Sequence, residues 1–117
     1  MKLCNLNYLK SVSPKSNTFA IEMISIFTKD TPEAIKLMQI ALENEKFFDI
    51  YKNAVKIKPS FQMLGLPSEL SDKLSEVLNL ANTMKETAKI KELINSIEKE
   101  LTSVYIELEK ELYELKN

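Results

Sequence analysis

Apolar residues recur along this chain at alternating steps of three and four, which places them on single sides of successive helices. The longest run is Ile90, Ile94, Ile97, Leu101, Val104, Leu108, Leu112 and Leu115. Before it, Leu70, Leu74, Val77, Leu78, Ala81 and Met84 predict one inward helix face, and Phe47, Ile50, Ala54, Ile57, Phe61 and Leu64 another. Ala34, Ile35, Met38, Ala41 and Leu42 predict a further face, preceded by Ala20, Met23, Ile24 and Phe27. Cys4 to Lys10 suits a short helical turn, with Leu3, Leu6, Tyr8 and Leu9 available to cover one end of the fold.

Turn and cap residues separate these runs. Ser11 to Asn17 is rich in turn formers and predicts a loop, after which Ser16 or Asn17 can cap a helix. Asp30-Thr31-Pro32-Glu33 reads as a fresh helix start, with a capping side chain, proline at the first helical position and an acid near the positive end. Asn44 to Lys46 forms a short link. Pro59 falls inside the helix begun at Phe47; it deprives the Val55 carbonyl of its donor and predicts a kink. Gly65 suits the left-handed residue that ends many helices, and Ser68 can cap the next. Lys85 to Lys89 is the expected last turn. Narrow seams with short links predict an all-α fold. The expected form is an antiparallel four-helix bundle with a short extra N-terminal helix, one domain over residues 1–117.

Composition narrows the chemistry. The 117 residues include one glycine, no tryptophan and no histidine, and the net charge is −1 with acids and bases interleaved. Scarce glycine argues against a sheet protein built on tight turns and leaves no phosphate-cradling loop. No basic patch suggests nucleic acid. Without histidine there is no Ser/His or Cys/His pair, and one cysteine with scattered carboxylates makes no metal ligand set, so no metal or cofactor is expected. Cys4 has no internal disulfide partner, which fits a reducing compartment. The first ten residues are too short and polar for a signal peptide, and no run approaches the ~18 apolar residues of a membrane span. A cytoplasmic monomer with no membrane partner is the expectation.

The stretch from Phe47 to Gly65 carries two faces. At about 100° per residue, Val55 lies roughly 130° from the middle of the apolar stripe and should point outward. Phe48, Tyr51, Lys58, Pro59 and Gln62 lie around it at helical spacings, with Lys56 beside it. The segment AVKIKPSFQMLG resembles the phosphoacceptor motif of histidine-containing phosphotransfer (HPt) domains, His-x-x-Lys-Gly-[Ser/Ala]-small-x-x-hydrophobic-Gly. Lys58, Ser60, Leu64 and Gly65 match the motif's lysine, small, hydrophobic and terminal glycine positions. Val55 stands where the family has histidine, Pro59 replaces a glycine, and Phe61 a usually small residue.

The resemblance implies a phosphorelay protein that docks a response-regulator receiver domain or a hybrid sensor kinase. It implies a docking surface of Phe48, Tyr51, Val55, Lys56, Lys58, Pro59 and Gln62, with Ser60, Leu64 and Gly65 as structural members of the motif. Valine has no nucleophilic atom, so no phosphoryl group can be accepted at this position and there is no catalytic residue. Plainer readings stand beside this one. Val55 alone is an ordinary surface hydrophobe, Lys56 and Lys58 are solvated charges, and Phe48 and Tyr51 are edge-of-core residues that the N-terminal element covers. The acidic stretch Glu107 to Glu114, with Lys110 inside it, reads as a solvated face. Two alternative functions remain: a structural or oligomerisation bundle pairing through its last helix, and an active phosphotransfer protein whose histidine has been substituted.

Overall fold

Seams of this kind bury only when helices pack on one another, and in the computed structural model, which describes residues 2–117, every element is a helix. They are α1 (Asn7–Val12), α2 (Thr18–Glu43), α3 (Phe47–Met63), α4 (Ser68–Thr83) and α5 (Thr87–Lys116). The four long helices form a ring: α2 packs on α3 and α5, and α4 packs on α3 and α5. α1 packs against α2. At 1.5 Å per residue α5 is about 45 Å long, so it alone accounts for the 47 Å long dimension of the molecule.

The predicted stripes supply the core. Ile24, Phe27, Met38, Ile50, Ala54, Phe61, Leu74 and Val77 are buried, as is the α5 seam from Ile90 to Leu108. That seam is therefore filled within the chain. Phe27 meets Phe61 edge-on at 6.1 Å and Tyr105 at 6.0 Å, tying α2, α3 and α5 through one aromatic group. Such pairs are worth about 0.5–1.5 kcal/mol each beyond their buried area. Between α4 and α5, the Lys73 ammonium donates to Ser96 Oγ at 2.8 Å and pairs with Glu100 at 3.0 Å.

Several boundaries differ from expectation. No helix starts at Pro32; α2 runs through it. Pro32 lies on the exposed side, while Thr31, Ala34 and Ile35 around it are buried. A mid-helix proline costs about 3 kcal/mol, less than the burial of Phe27, Ile35 and Met38 together returns at roughly 1.5–3 kcal/mol each. α3 also runs through Pro59, as the reading of a single helix from Phe47 expects. Ser68 does not cap α4; Pro67 holds that position and no side chain bonds the freed N–H groups. Asn17 precedes α2 without capping it and donates instead to the Leu115 carbonyl at 3.1 Å, while the Ser16 hydroxyl, the other expected cap, accepts from the Thr18 N–H at 3.2 Å. Met84, expected inside, is exposed, because α4 ends at Thr83 and the turn occupies only Met84 to Glu86.

The helix ends share one device. After α2, α3 and α4 a left-handed residue (Glu45, Gly65 and Met84, with φ of 53°, 58° and 58°) lets the next N–H reach back to a carbonyl of the last turn. The Lys46, Leu66 and Lys85 N–H groups donate to the Ala41, Phe61 and Leu80 carbonyls. Only one of the three is glycine, and the reason is tertiary. A Cβ on Gly65 would lie 2.5 Å from the Asn5 carbonyl oxygen.

Asn5 belongs to an N-terminal strap laid over this end of the ring. Its N–H donates to the Leu64 and Gly65 carbonyls at 3.0 and 3.2 Å. The Leu3 and Cys4 N–H groups donate to the two oxygens of Glu107 at 2.8 and 2.7 Å, and Lys2 pairs with Glu111 at 2.7 Å. The acidic stretch is thus not simply a solvated face: Glu111 is buried and Glu107 holds the strap. α1 begins at Asn7 rather than Cys4 and continues through Val12 into the predicted loop. Leu6 and Leu9 are buried, but Tyr8 points outward.

Two predictions follow from this geometry. Gly65→Ala should lower the unfolding free energy by about 2 kcal/mol, of which about 1–2 kcal/mol is the left-handed backbone and the rest displacement of Asn5. Met84→Gly, free of any such contact, should raise it by up to about 1 kcal/mol. Urea titration measures both, and equal effects of like sign would contradict the assignment.

Burial alone would raise the Glu107 pKa, but the bonds from Leu3 and Cys4, with the Lys2 charge, outweigh it and hold the carboxyl below its ordinary value. Its stabilising contribution is present above the unfolded value near ~4.3 and is lost as pH falls through the lower folded value. Glu107→Gln should therefore be less stable than the unsubstituted protein at pH 7, with the gap closing as pH drops below about 4. Denaturant midpoints across pH would show a constant gap if the carboxylate bonds were unimportant.

Candidate functional site

The stripe Ile50, Ala54, Ile57 and Phe61 is buried against the neighbouring helices, and this sets which side of α3 meets water. On that outer side Val55 is 45% exposed, Phe48 71% and Tyr51 39%. Pro59, Gln62 and Lys56 are exposed as well. From Phe48 to Gln62 the strip is about 21 Å long at 1.5 Å per residue. The N-terminal element does not cover Phe48, so the edge-of-core reading of that residue fails. Lys58 and Ser60 are half-buried, Leu64 is buried, and Gly65 closes the helix as the left-handed residue described above.

Two more residues join the surface that sequence reasoning missed. A groove of about 720 Å³ runs between α2 and α3, with Leu37, Ile40 and Ala41 on one wall and Val55, Lys52 and Lys56 on the other. Leu37 and Ile40 are both exposed. They lie three positions apart and off the Ala34, Ile35, Met38 and Ala41 stripe; this spacing was the available signal. A separate cavity of about 630 Å³ between the end of α2 and the start of α5 contains no member of the strip.

The electrostatics of the groove are simple. Lys46, Lys52 and Lys56 rim it, and Asp49 sits 3.9 Å from Lys52 in an exposed pair of small energetic weight. Among the described residues neither Lys56 nor Lys58 takes part in an ion pair. Pro59 has no N–H, so the Val55 carbonyl lacks its usual helical donor. The arrangement offers an apolar strip with positive charge at its margin and no nucleophilic atom at position 55.

Reactive groups elsewhere are held quiet. Burial first, and then the Glu107 carboxylate, push the Cys4 thiol up to about 12, so it carries almost no thiolate at neutral pH. Burial likewise raises the Tyr105 phenol. Among the described residues no cluster of three or more His, Cys, Asp or Glu could hold a metal ion, and no helix is long and apolar enough to cross a membrane. The fold and this surface define an all-α protein with a lysine-rimmed apolar strip. No protein-family model matches the chain, and neither the curated proteins nor the solved structures yield a match.

The placement of position 55 has a direct test. Val55→Ala should change stability by less than about 1 kcal/mol, since the side chain is half in water. Ile57→Ala, two residues on and buried, should cost about 2–5 kcal/mol. Paired urea titrations compare them; a large loss at Val55 would place that side chain in the core.

Proposed function

We propose that this protein is an HPt-like antiparallel four-helix bundle that binds receiver domains in phosphorelay signalling without accepting phosphate. The observation that carries the reading is an exposed Val55 midway along α3, with Lys58, Ser60, Leu64 and Gly65 in motif register behind it. An apolar strip of Phe48, Tyr51, Val55 and Pro59 is suited to excluding water at the centre of a small interface. Lys56 and Lys58, lacking acids of their own, would meet the carboxylates of a receiver's phosphorylation pocket or the phosphate bound there.

Such a protein acts by occupancy. It competes with active phosphotransfer domains for the receiver surface, and unequal affinity for the phosphorylated and unphosphorylated receiver would make it regulatory. An interface of this kind falls near the low end of specific complexes, about 1,200 Å² or below, which matches a transient partner.

The test uses receiver domains phosphorylated on aspartate by a small-molecule phosphodonor. Binding is expected, with no acid-labile, base-stable phosphate appearing on this chain. Phe48→Ala and Val55→Glu should each weaken binding about tenfold, as expected for residues central to a docking surface. Val55→His should gain phosphoryl acceptance, transferring the group from the receiver aspartate to an imidazole nitrogen. Label on the unsubstituted chain, or absence of binding across a receiver panel, would sink the proposal.

A further inference from the structure

The C-terminal half of α5 carries a second outward apolar pair, far from the strip on α3. Ile106 is 54% exposed and Tyr113 72% exposed. Seven residues apart, they share one helix face, and Glu109 and Lys110 lie between them. All four line a single shallow groove of about 350 Å³, with exposed Glu114 at its C-terminal end. Among the described residues neither Glu109 nor Lys110 has an ion-pair partner. In the ring α5 stands across from α3, so this face is open even when α3 is occupied.

We infer that this face pairs with the same face of a second copy of the chain, the two α5 helices running antiparallel. The order apolar, acid, base, apolar is self-complementary under a two-fold axis crossing the helix between positions 109 and 110. Each Ile106 then meets the other copy's Tyr113, and each Glu109 meets the other copy's Lys110. A two-fold pairing repeats every contact, so the unpartnered charges are satisfied twice over and the interface closes on itself. No parallel pairing does this, because equal positions would set Glu109 on Glu109 and Lys110 on Lys110. From Ser103 to Lys116 the helix offers about 20 Å of length. The area buried stays below the roughly 1,200 Å² of standard interfaces, and the dimer is correspondingly weak, with dissociation in the range of about 10 μM to 1 mM.

Sedimentation of the full chain from about 1 μM to 1 mM tests this. The weight-average mass should rise with concentration, and Tyr113→Glu should abolish the rise. E109K and K110E should each weaken association about fivefold, by setting like charges opposite one another twice. The double variant E109K/K110E inverts both members of each pair and should restore association to within about twofold of the unsubstituted protein. These positions are exposed, so the variants should stay helical, which circular dichroism checks. A constant monomer mass up to the highest concentration, association indifferent to Tyr113→Glu, or a double variant no better than the single ones would each overturn the inference. Receiver binding is read separately, so either proposal can fail alone.

Discussion

Burial of Ile50, Ala54, Ile57 and Phe61 along one side of α3 sets the azimuth of everything else that helix carries. Each large member contributes roughly 1.5–3 kcal/mol, and rotating the helix by even one position would expose them in turn. Phe61 is also held edge-on by Phe27, which in turn meets Tyr105, so α3 is keyed to α2 and α5 through rings as well as area. Val55, Phe48 and Tyr51 face water because the opposite side cannot. The mid-helix proline does not undo this, since one absent hydrogen bond is small beside the anchored stripe.

The end of the ring nearest Gly65 shows how a single residue type records a long-range contact. Three helices finish with a left-handed residue, and a glutamate and a methionine serve at two of them. Glycine is spent only where the Asn5 backbone crosses. The strap that makes this crossing is fastened at its other edge by Glu107 and Glu111, more than a hundred residues along the chain. It covers the Cys4 thiol while doing so. A position that looks like part of a signalling motif therefore also has a purely structural reason to be glycine.

Much of the fold was legible in the residues. The three-and-four spacing identified the inward stripes of α3, α4 and α5, and the outward direction of Val55 followed from the same arithmetic. What failed had a common cause. Pro32 was read as a boundary because the local cost of proline is visible in sequence while the burial of Thr31, Ala34 and Ile35 that offsets it is not. Met84 was read as core because the helix end there has no glycine to announce it. Leu37 and Ile40 were overlooked because the groove they line exists only once α2 lies beside α3. Glu111 stands one heptad after Val104, within the seam, and only the strap explains an acid at that place.

By itself the sequence determined that the chain is helical, which side of each helix turns inward, and that position 55 bears no nucleophile. These follow from periodicity and side-chain chemistry, both of which are local. Tertiary structure alone decided that α2 passes unbroken through its proline, that Glu107 and Glu111 fasten the N-terminal strap, and which outward apolar residues share a groove. Those outcomes depend on free energies of burial and hydrogen bonding between residues far apart in the chain, and no window of local sequence contains both partners.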